Sequence, residues 1–88
     1  MRRRKMIMKG RISKVNDSII IFPRNNKILY EYHRTSIVIS VDNMVFLGRV
    51  QRYANRFVIY IPRTEDYNYL EKKMKEKKII EFNLLSQV

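Results

Sequence analysis

Gly48-Arg49-Val50-Gln51-Arg52-Tyr53-Ala54-Asn55-Arg56-Phe57-Val58-Ile59-Tyr60-Ile61-Pro62 reads as two strands folded over a tight turn at Ala54-Asn55. Before the turn Val50 alternates with Arg49 and Gln51. After it Phe57, Ile59 and Ile61 alternate with Val58 and Tyr60, the period-2 pattern of a strand with one face buried. Arginines punctuate both arms. Such a hairpin, anchored by its apolar face, carries Arg49, Arg52, Arg56 and Arg63 along its rim and far end, where guanidinium groups can meet phosphates.

Outward from this hairpin the chain is a succession of short strands. Residues 1–5 offer no side chain to a core and read as a basic tail in which Arg2, Arg3 and Arg4 are available to phosphate. Met6 to Val15 is compatible with a first strand, with Gly10 marking a bulge or a close approach. Asn16-Asp17 makes a turn, and Ser18 to Pro23 is an isoleucine-rich strand closed by a residue that cannot donate to a ladder. Residues 28–34 fit two periods: Ile28, Leu29 and Tyr32 line a helical face, and Ile28, Tyr30 and Tyr32 a strand face. The aromatics favour strand. Thr35 to Val41 is a strand with Ile37, Ile39 and Val41 inward, Asp42-Asn43 turns the chain, and Met44 to Leu47 leads into the hairpin. Past Pro62, Thr64 is placed to cap a helix, with Glu65 and Asp66 in its first turn and Tyr67, Leu70 and Met74 at helical spacing to about Lys77. A last strand runs from Ile79 to Leu85.

The two halves echo one another. Gly10-Arg11-Ile12 matches Gly48-Arg49-Val50, and Ile19-Ile20-Ile21-Phe22-Pro23-Arg24 matches Val58-Ile59-Tyr60-Ile61-Pro62-Arg63, with one residue of slippage at the turn. Seen twice only, the spacing suggests a duplicated strand-strand-connector-strand unit rather than a solenoid, which needs three or more repeats. The expected fold is therefore mostly β: a small barrel from two pseudo-repeats, residues 6–43 and 44–88, with one helix at about 64–77, all in a single domain over 6–88. Closure removes exposed sheet edges.

From Arg52 to the helix the chain resembles the AbrB and MazE family of swapped-hairpin, cradle-loop DNA-binding domains. The matching residues are Arg52, Tyr53, Ala54, Asn55 and Arg56, then Val58-Ile59-Tyr60-Ile61-Pro62 and a helix from Thr64. A weaker match runs through Lys14, Val15, Asn16, Asp17 and Ser18 to Pro23. The sequence departs from the family at Ala54, where the family keeps glycine, at Arg56, where it keeps serine, and at Lys77-Lys78, where a Gly-Asp pair is usual. The resemblance implies a transcriptional regulator or antitoxin that binds duplex DNA, with Arg52, Asn55 and Arg56 as contacts and Lys14, Asn16 and Asp17 as lesser equivalents. In that family two ββαβ units come from two subunits, whereas here one chain supplies both.

Composition points the same way. Among 88 residues, 19 are Lys or Arg and 8 Asp or Glu, a formal charge of +11, so a polyanionic partner is implied. An anionic membrane would call for a strongly apolar amphipathic helix or a lipidation signal, and neither is evident. The expected contacts are Arg11, Lys14, Arg49, Arg52, Tyr53, Asn55, Arg56 and Arg63 with the tail arginines; arginine pairs bidentately with phosphate or guanine edges, and Tyr53 is placed to stack on a base. The tyrosines at 30, 32, 60, 67 and 69 read as structural. No cysteine is present, which excludes disulfides, thiolate nucleophiles and Cys-ligated zinc and suits an intracellular, cytoplasmic setting. His33 is the single histidine and has no nucleophile implied beside it, the acids are scattered, and Gly10 and Gly48 form no phosphate-cradling loop, so no catalytic, metal or cofactor site is indicated. Many Ile, Lys, Arg and Tyr with few Gln suit a protein that works hot. At this length a homodimer would relieve any shortfall of core. Two rivals to duplex DNA stand: structured RNA, as for a ribosome-associated protein, and an acidic protein partner, as for an adaptor module.

Overall fold

The computed structural model describes residues 6–62 and 67–87. Six strands, β1 (Met6–Val15), β2 (Ser18–Pro23), β3 (Ser36–Val41), β4 (Met44–Tyr53), β5 (Arg56–Ile61) and β6 (Ile79–Gln87), form a mostly β domain. A 3-10 helix, Asn26–Tyr32, joins β2 to β3, and one α-helix, α1 (Tyr67–Glu76), joins β5 to β6. The strands close into a barrel in the order β1-β2-β5-β4-β3-β6, every neighbouring pair antiparallel. Exchanging β1, β2 and β3 with β4, β5 and β6 reproduces that order, so the topology has pseudo-two-fold symmetry.

Alternation decides which side chains go inside. Met8 and Ile12 from β1, Ile19 and Ile21 from β2, Ile37, Ile39 and Val41 from β3, Phe46 and Val50 from β4, Ile59 and Ile61 from β5, and Ile80, Phe82 and Leu84 from β6 form one buried core. Full burial of each large aliphatic is worth about 1.5–3 kcal/mol, which is how a barrel of short strands offsets the entropy of ordering it. Ile20 and Val58 project from the opposite face of their strands and are nevertheless fully buried. Ile20 sits opposite Tyr60 in the β2–β5 register, so aromatics supply a second, external apolar layer there.

Both glycines stand where the wall is tightest. A Cβ on Gly10 would lie 2.9 Å from the Phe22 carbonyl oxygen and 3.0 Å from the Pro23 Cα, and one on Gly48 would lie 2.7 Å from the Ile59 Cγ2. Gly10 is thus a close approach; the register irregularity of this barrel falls instead between Val38 and Ile39, against β6.

Residues 28–34 depart from the expected strand. They belong to the 3-10 helix and the turn after it, with Leu29 fully buried in the core and Ile28 and Tyr32 packed against it. A closed barrel has no free edge to receive another strand, and the helical face 28/29/32 packs against the core at this end of the barrel, beside β5. The expected N-cap Thr64 with Glu65 and Asp66 lies outside the described residues. The helix itself ends at Glu76.

Antiparallel order fixes the two ends of the barrel. At one, the hairpin end, lie the turn at residues 54–55, the 3-10 helix, the last residue of β2 and the first of β1 and β3. At the other, the helix end, α1 crosses above the turns at 16–17 and 42–43, with Tyr67 and Leu70 buried. Two ion pairs pin it. Lys14 Nζ stands 2.7 Å from Glu71 Oε2, and Asp42 accepts hydrogen bonds from Lys73 and, at 2.6 Å, from the Tyr69 hydroxyl.

Candidate nucleic-acid interface

The β4–β5 hairpin closes through the Tyr53–Arg56 pair, leaving Ala54-Asn55 as a two-residue turn. Ala54 has φ of 57°, the left-handed conformation that glycine adopts without steric cost. The turn therefore keeps that geometry without the glycine. In the matching β1–β2 turn Asn16 has φ of 56°.

On the β2 side of the hairpin the Arg11 guanidinium lies over the Phe22 ring, 4.6 Å from its centroid. Phe22 meets Tyr53 edge to face, centroids 5.6 Å apart and planes at 86°. Arg56 Nη2 reaches the Pro23 carbonyl at 3.5 Å, and the Arg24 backbone N–H donates to the Lys9 carbonyl. These pairings bring Arg11, Phe22, Arg24 and Arg56 around one recess of about 160 Å³. On the β3 side a wider cleft of about 390 Å³ is lined by His33, Arg34, Arg49, Gln51 and Arg52. Arg34 takes φ of 64°, and its N–H donates to the Val50 carbonyl, continuing the β3–β4 ladder past the end of β3.

Six arginines thus flank the hairpin, and none has a carboxylate partner among the described residues. The acids explain why. Asp17, Asp42, Glu71 and Glu76 belong to the helix end, Glu81 pairs in register with Lys9 on β6, and Glu31 alone stands in the 3-10 helix at the hairpin end. Unpaired cations held at spacings fixed by a closed barrel can bind an extended polyanion without first breaking internal ion pairs.

Of the expected contacts, Arg11, Arg49, Arg52, Tyr53, Asn55 and Arg56 fall on or beside the hairpin and are exposed. Lys14 stands apart at the helix end, with Glu71 2.7 Å away and the Tyr67 ring centroid 5.8 Å away; the Glu71 hydrogen bond and charge hold its ammonium above its ordinary pKa. Arg2, Arg3, Arg4 and Arg63 lie outside the described residues. Sequence reasoning passed over Arg24, Arg34, His33 and Phe22. The echo between the halves gives a signal for Arg24, because it follows Pro23 as Arg63 follows Pro62. Nothing local marks Arg34, whose place depends on the long-range bond to Val50.

Among the described residues no three His, Cys, Asp or Glu side chains gather as metal ligands, and no helix is long and apolar enough to cross a membrane. No protein family, curated protein or solved structure matches this chain.

Proposed function

We propose that this protein is a non-enzymatic nucleic-acid-binding module that grips duplex DNA with the hairpin end of its barrel, in the manner of an AbrB-like regulator or antitoxin. The observation that carries the reading is the set of six arginines around the β4–β5 hairpin without carboxylate partners among the described residues, in a chain of net charge +11. Arg11, Arg24, Arg49 and Arg56 contact phosphates; Arg52 and Asn55 at the turn read base edges, where arginine and asparagine suit guanine and adenine. The tail Arg2, Arg3 and Arg4, together with Arg63 after Pro62, extend the electrostatic footprint. The halves 6–43 and 44–88 are copies of one unit, which accounts for both the sequence echo and the symmetric strand order.

A labelled duplex titrated at several salt concentrations tests this. With about six to eight phosphates neutralised, log affinity falls against log salt with a slope on the order of −5 to −7. Replacing Arg49, Arg52 and Arg56 together by alanine makes that slope shallower by about 2, the share of the phosphate contacts Arg49 and Arg56. A slope near zero, or a triple variant that binds as tightly as the parent, rejects the reading and leaves an acidic protein as the partner.

A homodimer belongs to the same proposal. Ile7, Val45 and Leu47 are exposed on the β1–β6–β3–β4 side, away from the arginine recess, and offer it an apolar face; the mass in solution by light scattering decides it.

A further inference from the structure

The recess on the β2 side holds more than a phosphate contact requires. Its arginines suit any polyanion, but the ring pair beside them does not. Tyr53 is 43% exposed although Phe22 packs against it. Ile20 and Val58, which project from the same outer face as the rings, are both fully buried. Duplex DNA keeps the faces of its bases inside its own stack, so an exposed ring at this place gains nothing from it beyond van der Waals contact. An unpaired nucleotide has a free base face to lay on a ring and a phosphate close by to meet a cation.

We infer that the outer surface of β2, β5 and β4 at the hairpin end holds an unpaired nucleotide of a single strand, its base against Tyr53 and Phe22 and its phosphate between Arg24 and Arg56. The Arg11 guanidinium already lies on the Phe22 face and presents its own flat outer side as a further stacking surface. This inference rests on the nucleic-acid reading above and adds to it a second class of substrate, single-stranded DNA or RNA. The ring subsite is separate from the cleft of Arg34, Arg49 and Arg52 on the other side of the hairpin.

Fluorescence anisotropy of the full chain with a labelled thymidine 12-mer, the matching uridine 12-mer and a 12-base-pair duplex provides the test, run with the parent protein and with Tyr53→Leu, Phe22→Leu and Arg56→Gln. Tyr53→Leu keeps an apolar side chain on an exposed position and removes the ring. It weakens single-strand binding about tenfold, within the range expected for losing one stacked base, and changes duplex binding less than twofold. Phe22→Leu also weakens single-strand binding, with some loss on the duplex because it removes the ring under the Arg11 guanidinium, and Arg56→Gln weakens both ligands. A single strand carrying 2-aminopurine, whose emission is quenched on stacking, loses fluorescence when bound by the parent protein, a readout that requires no variant. Equal losses of Tyr53→Leu on both ligands, or no quenching of 2-aminopurine by a protein that binds the strand, overturns the ring subsite and leaves the duplex reading standing. A parent protein that binds none of the three ligands overturns both.

Discussion

Ala54 occupies a backbone conformation that costs an ordinary L-residue about 1–2 kcal/mol. Its φ of 57° is imposed by a two-residue turn whose flanking Tyr53–Arg56 pair is already in the ladder. Ala54→Gly relieves that strain and gives back about 0.5–1 kcal/mol through the greater entropy of the unfolded chain. The variant is expected to be more stable by roughly 0.5–1 kcal/mol, seen as a higher urea midpoint at unchanged slope. The glycines behave in the opposite sense, and unequally. Gly10→Ala drives a methyl into backbone, the Phe22 carbonyl oxygen and the Pro23 Cα, whereas Gly48→Ala meets first the Ile59 Cγ2, a branch methyl of a side chain rather than backbone. Both destabilise by about 1–3 kcal/mol, with Gly10→Ala the costlier of the two in the same urea titration. At this scale the sequence was legible wherever period-2 alternation operates: Val50 points inward between Arg49 and Gln51, and Ile59 and Ile61 point inward on either side of Tyr60. Arg34 was illegible, since the bond from its N–H to the Val50 carbonyl spans distant parts of the chain and leaves no local mark.

The helix α1 is held across the barrel end by Tyr67 and Leu70 beneath it and by ion pairs at its margins. Asp42 is the pivot. The hydrogen bond from Lys73 and then that from Tyr69 hold its carboxyl below its ordinary value of 3.8, so its contribution is complete above 3.8 and is lost as pH falls through the lower folded value. Lys73 and Lys14 are raised above 10.5 by Asp42 and Glu71 respectively. Their contributions are complete below 10.5 and disappear as pH rises through the raised values. Thermal melts therefore show a plateau near neutrality, a fall on the acid side below pH 3.8 and another beyond pH 10.5. Asp42→Asn flattens the acid limb. Asparagine is the right probe because Asp42 has φ of 51°, which asparagine tolerates. The same turn was readable in advance from Asn and Asp side chains, as were all six strands. The 3-10 helix was not, because Ile28, Tyr30 and Tyr32 satisfy one period and Ile28, Leu29 and Tyr32 another. What decides between them is the closed barrel, which has a core to cover at this end and no edge to extend.

At the scale of the whole molecule, carboxylates and the two ion pairs gather at the helix end, while among the described residues the hairpin-end arginines have no carboxylate partner. A sorted distribution orients the protein before contact, so association with nucleic acid slows as salt is added, and the Arg49, Arg52 and Arg56 triple alanine variant loses part of that dependence in stopped-flow mixing. Net charge was legible from composition and the hairpin arginines from their spacing. The two-sided arrangement of clefts was not, since Arg24 and Arg34 are placed by backbone bonds to Lys9 and Val50 that extend the β1–β2 and β3–β4 ladders beyond the strands themselves. That closure also sets a kinetic order. The β1–β2, β3–β4 and β4–β5 pairs form across two-residue turns, whereas the β1–β6 seam joins Met6 to Leu84 and must draw in nearly the entire chain, an entropic cost that rises with loop length. The seam is accordingly the last part of the wall to zip and the first to part. Ile59→Val within the local hairpin slows refolding, while Ile80→Val at the seam leaves refolding almost unchanged and quickens unfolding; each removes about 1 kcal/mol of stability, and a chevron of each variant separates the two.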